Sequence, residues 1–463
     1  MQKLTEGFLL KAGILFAMVF AFGGSSFAQT CNAVSGQILV DLFNQADLPA
    51  VAAQYQLETT PIDQVGTPPT YRMRFLPANT QTPCQVATAM LTDARVKQAE
   101  PNRILNPPEQ QGLPWTTGHS WGIGHSWGIG GSTKGFMNQW FPRHVRLPEA
   151  HKISTGAGIT VAVLDTGIDL NHPAFAGRLV QGWDFVSNDD DPSEVGALRQ
   201  TPVYGHGTHV AGIVALTAPG AKIMPLRVLD ENGEGTLWRV KDALIYAAHN
   251  GATVINMSFG YPPNIAPGSN TFLQDLFNGC DDILVPGEQL FPELDDKKLL
   301  VAAGAGNAGQ IGDGTTRIYP AAERIASDDN LLSVGASTRY DRLAPFSTMA
   351  NASSGSGRWV RFVAPGENIV SALPGNRYGV WSGTSMSTPI MSGIAALVKS
   401  VNPGLINTDL VEQLEEFGGA EWDCRVNSRN IWMETMRVDA VCALNSISGQ
   451  ECPLPEREDI CTE

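Results

Sequence analysis

Five uninterrupted apolar runs, each ended by turn-forming residues, dominate the chain from residue 138 onward. Such runs are typical of parallel strands buried on both faces, because a strand with one wet face would alternate apolar and polar residues. The runs are GITVAVLDTG, AKIMPLRVLD, GATVINMSFG, KLLVAAGAGN and NLLSVGAST. Between or after them, LWRVKDALIYAAHN, MSTPIMSGIAALVKSV and TDLVEQLEEF have helical spacing. The pattern predicts an α/β fold with a doubly wound, mostly parallel sheet, whose ligand site lies at the carboxyl ends of the strands.

The residues before this region predict a second, smaller folding unit. Within residues 29–106, SGQILVDLF and TYRMRFL have the composition of strands, and CQVATAMLTDARVKQAEPNRI is amphipathic. These segments indicate strands around one helix, which is enough for a small α+β domain.

A segment rich in Pro, Gly and Ser, residues 107–137, separates the two regions. The hexapeptide HSWGIG occurs in it twice in tandem, starting at His119 and at His125. In one interpretation, the two histidines bind a metal ion, and Trp121 and Trp127 form an apolar surface patch. The glycine content and the lack of a periodic apolar pattern favour a duplicated linker instead.

The N-terminus has the pattern of a secretory signal peptide. Lys3 and Lys11 lie beside the apolar run AGILFAMVFAF, which is shorter than the ~20 residues that a membrane span needs. The run is followed by small residues that end at Ser26 and Ala28. We therefore expect residues 1–28 to be removed after Ala28, and the protein to be extracellular or periplasmic without a membrane anchor.

The composition indicates a globular protein with an acidic surface. The 463 residues, 43% of them hydrophobic, are sufficient for a sizeable core. The formal charge of −15 at pH 7 argues against a nucleic-acid partner, because an acidic surface releases no counterions from a phosphate backbone. The charge mainly keeps the chain soluble, and we expect a monomer.

Seven cysteines in an exported chain predict disulfides, with one cysteine left over. They are Cys31, Cys84, Cys280, Cys424, Cys442, Cys452 and Cys461. The last two belong to a tail, residues 448–463, that has no further pattern. A zinc site would be the alternative for the C-terminal group, but no C-x-x-C spacing is present. The sequence leaves the connectivity open.

Three polar clusters lie at predicted strand or helix ends. Asp165 directly follows the buried run GITVAVL, where a carboxylate persists only if it is hydrogen-bonded or paired. His206 stands among glycines near a helix start in GHGTHVAG, and Ser385 heads the helix in SGTSMSTP. Alone, each motif is more typical of a turn, a structural histidine or an N-cap. Together, in the order Asp, His, Ser, they fit an orienting acid, a base and a nucleophile.

The motifs around these residues resemble the signature blocks of the subtilisin-like serine peptidases, the subtilases. The blocks are VAVLDTGID, GHGTHVAGIVA, INMSFG, AAGAGN and GTSMSTP. The resemblance covers residues 138 to about 447, which we take as the catalytic domain 138–447. It implies a serine endopeptidase that cuts peptide bonds through an acyl-enzyme, with Asp165 as orienting acid, His206 as general base and Ser385 as nucleophile.

The same resemblance implies further site residues. Asn307 matches the side-chain donor of the oxyanion hole, and the Ser385 amide would be the second donor. The segment after INMS and the residues before Asn307 would line the pocket for the side chain that precedes the cut. Its members are Ser258, Phe259, Gly260, Gly304 and Gly306. Because most of these residues are small, we expect the pocket to accept bulky apolar or aromatic side chains.

The smaller N-terminal unit also has a counterpart in this family. YRMRFLPAN followed by ARVKQAEPNRI is similar to the intramolecular chaperone propeptides of subtilases. The resemblance implies a zymogen in which residues 29–106 inhibit the enzyme until it cuts itself, between about Asn106 and Met137. Expected partners are therefore protein or peptide substrates and the chain's own propeptide.

The histidine that follows the predicted base is expected to play a different part. His209 lies three residues after His206 on the same helix face, as the members of a metal-binding pair would. No further metal ligands accompany the two histidines. We therefore expect His209, beside Val210 and Ile213, to be a hydrogen-bonded packing residue.

The chemistry requires no cofactor, but an acidic loop suggests structural calcium. Asp184, Asp189 and Asp191 in WDFVSNDDDP offer the oxygen ligands that calcium takes, and some subtilases bind calcium at a similar place. A solvated acidic loop accounts for the same residues. The sequence leaves the metal question open.

The sequence departs from the family pattern at two places. Residues 261–298 are longer than the usual connection, and Ile390 stands where the family often has histidine. Pro389 has no amide, so the carbonyl of Ser385, four residues earlier, loses its donor within the helix.

Other classes of protein are disfavoured by what the sequence lacks. An aspartic peptidase would need a second DTG or DSG carboxylate, and a zinc hydrolase would need H-E-x-x-H. A secreted, catalytically inactive homologue that binds peptides is the remaining alternative. The complete set of catalytic positions argues against it.

Overall fold

The structure is a computed structural model, and it describes residues 31–107, 132–197, 200–261, 299–309, 317–322, 330–349, 359–417, 419–426 and 431–446. The predicted signal peptide, the HSWGIG repeat with His119 and His125, and the cysteine-bearing tail lie outside these ranges. From Cys31 onward, the chain forms one unit by its internal contacts.

The strands of the described residues are numbered in chain order. They are β1 (Ala33–Leu42), β2 (Asp63–Val65), β3 (Thr70–Arg74), β4 (Val96–Leu105), β5 (Thr160–Asp165), β6 (Trp183–Asp184), β7 (Lys222–Arg227), β8 (Gly235–Thr236), β9 (Val254–Met257), β10 (Leu300–Gly304), β11 (Leu331–Ser337), β12 (Phe362–Pro365), β13 (Ile369–Leu373), β14 (Arg377–Trp381), β15 (Gly419–Val426) and β16 (Ile431–Val438).

The helices follow the same convention. They are α1 (Leu48–Gln54), α2 (Pro83–Met90), α3 (Thr133–Met137), α4 (Phe141–His144), α5 (Leu147–Ala150), α6 (His206–Thr217), α7 (Leu237–His249), α8 (Thr384–Val401), α9 (Asn407–Phe417) and α10 (Ala440–Ser446). None of the described helices is both long and apolar enough to cross a membrane.

The predicted parallel sheet forms the centre of the larger part of the molecule. Its strand order is β15-β16-β12-β11-β10-β9-β5-β7-β6. The neighbouring pairs are parallel except β15 with β16, which is antiparallel. Every apolar run predicted as a strand forms one, and the three predicted helical segments form α7, α8 and α9. The predicted α/β fold class is therefore confirmed.

Helices cover both faces of this sheet, which explains why its strands lack polar positions. Along β5, Val161 and Val163 belong to the core cluster that includes α6 and α8. Ala162 and Leu164 belong to the other cluster, which includes α7. All four side chains are almost completely removed from water, so both faces of β5 contribute hydrophobic stabilisation.

The N-terminal unit is a small α+β structure, as predicted. Its sheet has the order β2-β3-β1-β4-β8, and its pairs are antiparallel. The amphipathic stretch at its end forms helix α2 and then strand β4. Helix α1 was not predicted, because its seven residues are too few to show a helical period. Strand β8 comes from the larger part of the molecule, with Ile104 opposite Thr236 and Leu105 opposite Gly235.

Helix α3 lies at the end of the segment predicted as a linker. The Ser132 side chain caps it by accepting a hydrogen bond from the Gly135 amide at 3.2 Å. Phe136 is buried in the main core, with its ring 5.3 Å from the ring of Tyr378. The last residues of the predicted linker therefore pack on the larger domain. Helix α3 was not predicted, because its five residues, of which Phe136 alone is buried, are too few to show a helical period.

One disulfide joins two described cysteines, Cys31 and Cys84. It links the start of the N-terminal unit to the first turn of α2. Cys442 is disulfide-bonded as well. The prediction that the chain carries disulfides is therefore confirmed at these positions.

Removing the Cys31–Cys84 bridge should destabilise the N-terminal unit. The bridge closes a segment with a sequence separation of 53 residues, so its loss should lower the free energy of unfolding by about 4 kcal/mol through the entropy of the unfolded chain. Hydrogen exchange of β1 and β4 amides in a Cys31→Ala, Cys84→Ala variant measures this, with exposed Thr92→Ala as the control. Unchanged protection in the double variant would contradict the expectation.

Candidate active site

Asp165 and His206 form a buried hydrogen-bonded pair. Asp165 is the last residue of β5, at its carboxyl end, and its Oδ1 accepts from the Thr166 amide at 2.8 Å. The same oxygen lies 2.7 Å from Nδ1 of His206, which donates to the carboxylate. The side chains are 1% and 0% exposed. The carboxylate thus fixes the ring orientation and directs Nε2 away from Asp165.

The glycines around His206 allow its helix to approach β5 closely. Helix α6 begins at His206 and is buried along its whole length. A Cβ on Gly207 would lie 2.1 Å from the Gly167 carbonyl oxygen and 3.1 Å from Cβ of Asp165. A side chain there would separate the helix from the loop after β5, so the glycine permits the short contact between Asp165 and His206.

Ser385 occupies the first turn of α8 and exchanges two hydrogen bonds with Ser258. The Ser385 hydroxyl donates to the Ser258 carbonyl at 3.1 Å, and the Ser258 hydroxyl donates to the Ser385 carbonyl at 3.0 Å. The second bond resolves the sequence observation about Pro389. The carbonyl left without a donor inside the helix receives one from the end of β9.

A buried polar network supports Ser258 from behind. The Asn256 amide nitrogen donates to the Ser258 hydroxyl at 3.0 Å, and the Ser392 hydroxyl donates to the Asn256 side-chain oxygen at 2.9 Å. All three side chains are completely buried. Because Ser392 lies two turns along α8 from Ser385, the network ties the first part of this helix to strand β9.

Asn307 lies beside the start of the same helix. Its Oδ1 accepts from the Thr384 amide at 2.9 Å, and the Gly306 amide donates to the Thr384 hydroxyl at 3.1 Å. The first bond orients the side-chain amide with its oxygen toward α8. Asn307 is 9% exposed, so its amide group sits at the edge of the protein interior.

The structure brings the predicted triad and oxyanion residues to one edge of the sheet. Strands β10, β9 and β5 are neighbours in the sheet. Strand β5 ends at Asp165, β9 ends directly before Ser258, and β10 ends three residues before Asn307. Helices α6 and α8, which start at His206 and at Thr384, pack against each other. This is the strand edge at which the apolar pattern predicts a ligand site.

The predicted pocket residues differ in how they can act. Phe259 is completely buried and belongs to a hydrophobic core cluster, so its side chain does not line a pocket in this structure. Gly306 has φ +94°, and a Cβ on it would lie 2.6 Å from Cγ1 of Ile318. An added side chain at Gly306 would displace Ile318, so only the backbone of Gly306 is available to contact a substrate.

The N-terminal unit lies against this edge through its last strand. The Asn106 amide donates to the Gly260 carbonyl at 3.0 Å, and the Gly260 amide donates to the Asn106 carbonyl at 2.8 Å. Gly260 lies two residues after Ser258, whose carbonyl accepts the hydroxyl of Ser385. An extended segment of the chain is therefore paired with backbone next to the candidate nucleophile.

Side chains of the N-terminal unit also cover helix α7. Asn102 Oδ1 accepts from the Trp238 amide at 3.1 Å, in the first turn of α7. The guanidinium of Arg72 lies 5.0 Å from the centre of a Trp238 ring. Completely buried Lys241 donates a short hydrogen bond to the hydroxyl of Thr70. Polar groups thus join the two parts of the molecule with specific geometry.

One carboxylate at this interface has a strongly shifted pKa. Burial, together with the negative charge of Asp63 on β2, raises the pKa of Asp242 on α7 to about 6, although the positive charge of Arg72 opposes the shift. Two acids from the two parts of the molecule thus meet beside one arginine.

His209 is a packing residue, as the sequence predicted. It is 0% exposed and stacks on Trp381 with ring centres 4.7 Å apart. Its Nε2 donates to the Gly379 carbonyl at 3.3 Å. Burial and the neighbouring His206 lower the pKa of His209 to about 3, so the ring is neutral at physiological pH.

Glu194 was not singled out by the sequence, yet it contacts both sides of the Asp165–His206 pair. Its carboxylate accepts hydrogen bonds from Thr166, Gly205 and Thr208. Desolvation of the carboxylate and, to a smaller extent, the charge of Asp165 raise the pKa of Glu194 to about 7, although these hydrogen bonds oppose the shift. In the sequence it is one acid among several in DDDPSEVG, with nothing to mark it.

The three acids at the end of β6 and in the loop after it have partners within the protein. Asp184 is buried and pairs with Arg227 at 2.6 Å. Asp189 and Asp191 accept from the amides two residues ahead of each, as turn residues do. The charge of Asp184 is thus already paired with a guanidinium, and the part of the chain that the structure describes contains no group of three His, Cys, Asp or Glu suited to a metal.

Comparison with known proteins identifies the family. The sequence profile of the subtilase family matches residues 156–416. The chain is 35% identical over 342 residues to the thermophilic serine proteinase of Bacillus sp. (strain AK1), a match that spans 72% of this chain and 69% of the relative. It is 36% identical over 272 residues to thermitase of Thermoactinomyces vulgaris, which spans 57% of this chain and 82% of thermitase.

A solved structure shares the fold. The crystal structure of fervidolysin from Fervidobacterium pennivorans, described as a keratinolytic enzyme related to subtilisin, superimposes with a TM-score of 0.62. The match covers 91% of this chain and 62% of fervidolysin at 19% identity. At this identity the likeness supports the fold alone.

The two histidines of α6 should respond differently to substitution. His206→Ala should reduce kcat on the order of 10⁶-fold, because it removes the proposed acceptor of the Ser385 proton. His209→Ala should leave kcat within a few-fold but lower the free energy of unfolding by about 3 kcal/mol, since it empties the space against Trp381. Steady-state kinetics and urea unfolding of both variants measure this. Equal catalytic losses in two well-folded variants would contradict it.

Proposed function

Because this chain belongs to the subtilase family and is a serine-type endopeptidase, we propose that Asp165, His206 and Ser385 form its catalytic triad. The main support for this proposal is the buried 2.7 Å hydrogen bond between Asp165 and His206 at the carboxyl end of β5. Ser385 lies at the start of the helix packed against α6. The substrates would be proteins or peptides.

The proposed reaction begins with transfer of the Ser385 proton. The hydroxyl that donates to Ser258 turns toward Nε2 of His206, which accepts its proton as the oxygen attacks the peptide carbonyl. Asp165 stabilises the imidazolium that forms and keeps Nδ1 as the donor. His206 then returns the proton to the leaving amine, and water releases the acyl group from Ser385 by the reverse sequence. No step uses a cofactor.

The oxyanion of the tetrahedral intermediate would lie between Asn307 and the start of α8. The hydrogen bond from the Thr384 amide to Asn307 Oδ1 supports this role, because it fixes the oxygen as the acceptor end of the side chain and Nδ2 as its donor end. The Ser385 amide would be the second donor. Because this amide lies in the first turn of an 18-residue helix, the partial positive charge of the helix N-terminus would also stabilise the oxyanion.

We further propose that residues 29–106 act as an inhibitory propeptide. Support comes from the paired backbone of Asn106 and Gly260 and from the pairing of β4 with β8, since an added strand is a common mode of peptide recognition. A segment bound in this way occupies the backbone groups that an extended substrate would use. Self-cleavage between about Asn106 and Met137 would release it.

The proposed life cycle begins with export. Residues 1–28 would direct secretion as a signal peptide, and the mature enzyme would work outside the cytoplasm as a monomer. Residues 107–137 would connect the propeptide to the catalytic domain. The pocket formed by Ser258 to Gly260 and Gly304 to Gly306 would take bulky apolar side chains along its backbone walls.

Replacement of the nucleophile tests the triad. Ser385→Ala should remove labelling by a fluorophosphonate, abolish casein hydrolysis and accumulate the uncut chain, because both maturation and turnover need the same hydroxyl. Mass spectrometry gives the cut site, which we expect between Asn106 and Met137. Ser400→Ala, at the far end of α8, is the matched control. Labelling and hydrolysis that survive Ser385→Ala would contradict the serine mechanism, and loss with chelator alone would indicate a metal.

The shifted Asp242 predicts pH-dependent release of the propeptide. The pKa is higher in the complex than in a free aspartate, so the complex holds a proton that the separated parts release. The resulting stabilisation is fully present below the usual carboxyl pKa of ~4 and is lost as pH rises through about 6. Dissociation of the cut complex should therefore accelerate from pH 4 to pH 7.

The measurement is the appearance of peptidase activity after dilution of the cut complex at several pH values. Asp242→Asn should flatten the profile, whereas the exposed control Asp409→Asn should keep it. A profile that Asp242→Asn leaves unchanged would rule out this group as the source.

A further inference from the structure

Glu194 joins the two chain segments that carry Asp165 and His206. Its Oε1 accepts from the Thr166 hydroxyl at 2.5 Å and from the Gly205 amide at 2.7 Å. Its Oε2 accepts from the Thr208 amide at 3.2 Å and, by a short bond, from the Thr208 hydroxyl. Thr166 directly follows Asp165, while Gly205 and Thr208 flank His206.

Each threonine hydroxyl also connects to the opposite segment. Thr166 on the loop after β5 accepts from the Gly207 amide of α6 at 3.0 Å. Thr208 on α6 accepts from the Asp169 amide, on the loop after β5, at 2.9 Å. The two segments are therefore linked twice, by a pair of crossed hydrogen bonds.

The carboxylate sets the direction of both crossed bonds. A hydroxyl has one proton, and each threonine donates it to Glu194. The oxygen of each hydroxyl is thereby turned to accept from the amide of the other segment. Without an acceptor at Glu194, the two hydroxyl protons could point at those amides and break both links.

The start of α6 depends on the same carboxylate. The amides of the first helical turn have no partner within the helix, and Gly205 at the N-cap has no side chain to satisfy them. Glu194 supplies acceptors for Gly205 and Thr208, and Thr166 supplies one for Gly207. A negative charge also suits a helix N-terminus.

We propose that Glu194 is a positioning residue, which holds His206 at hydrogen-bonding distance from Asp165 by fixing both threonine hydroxyls. The inference rests on the proposed triad. Glu194 acts through Thr166 and Thr208 and takes no part in proton transfer.

An amide cannot replace this carboxylate. Each oxygen of Glu194 faces one backbone N–H, that of Gly205 or that of Thr208, and a backbone N–H cannot reverse its role. In Glu194→Gln, one of these amides would meet an NH2 group and lose its acceptor. The isosteric variant should therefore resemble Glu194→Ala more than the wild type.

Kinetics and proton NMR test the proposal. Each variant is produced as the full chain and measured after it has processed itself. Glu194→Gln and Glu194→Ala should lower kcat on the order of 10²-fold, the effect of a ~1 Å displacement of a catalytic group, with KM within a few-fold. The low-field Nδ1 proton of the Asp165–His206 bond should broaden or shift upfield. Thr166→Val and Thr208→Val should each give part of the effect and add little in the Glu194→Gln background.

Two controls separate positioning from stability and from charge. Val411→Ala, on the buried face of α9, should lower Tm without changing kcat or the low-field proton. Glu149→Gln, an exposed acid on α5, should change neither quantity. If the Glu194 variants match Val411→Ala in losing Tm while keeping wild-type kcat and the low-field proton, Glu194 is merely structural and the proposal is wrong.

The outcome for Ser385→Ala distinguishes this proposal from the proposed function. An active Ser385→Ala enzyme would refute the triad and with it the role of Glu194. An inactive Ser385→Ala enzyme beside fully active Glu194 variants would refute the positioning role alone.

Discussion

The buried hydrogen bond between Asp165 and His206 is the interaction on which the rest of the site depends. Removing a carboxylate and an imidazole from water costs several kcal/mol per charged group, so the pair persists only where partners are fixed within hydrogen-bonding distance. Strand β5 supplies one partner at its end, and α6 supplies the other at its start. Gly207 lets these elements meet, and the crossed threonines hold them together.

A second constraint places Ser385, the proposed nucleophile, relative to this pair. Pro389 frees the Ser385 carbonyl from the hydrogen bonding of α8, and the Ser258 hydroxyl takes over as donor. Helix α8 is therefore anchored to the end of β9 through Ser385 itself. Since β9 and β5 are neighbours in the sheet, the strand spacing itself sets the separation of the two halves of the site.

The sequence predicts those features of the fold and of the site that depend on residues close together in the chain. The apolar runs predicted the parallel strands, and the motifs around Asp165, His206 and Ser385 predicted which strand and helix ends would converge. Pro389 announced a carbonyl without a donor, but not that Ser258 would supply one. Glu194 could not be recognised, because its partners lie 28 and 14 residues away and become neighbours only after folding. Short pieces such as α1 and α3 lack the length to show a period.

The N-terminal unit pairs with two backbone segments of the larger part of the molecule. Strand β8 and the backbone at Gly260 each offer hydrogen-bonding groups, and the chain from Ile104 to Asn106 pairs with both. Backbone pairing alone would not distinguish the proposed propeptide from an extended substrate. In the proposed zymogen, the contacts of Asn102, Arg72 and Thr70 with α7 would therefore supply the selectivity for the chain's own segment.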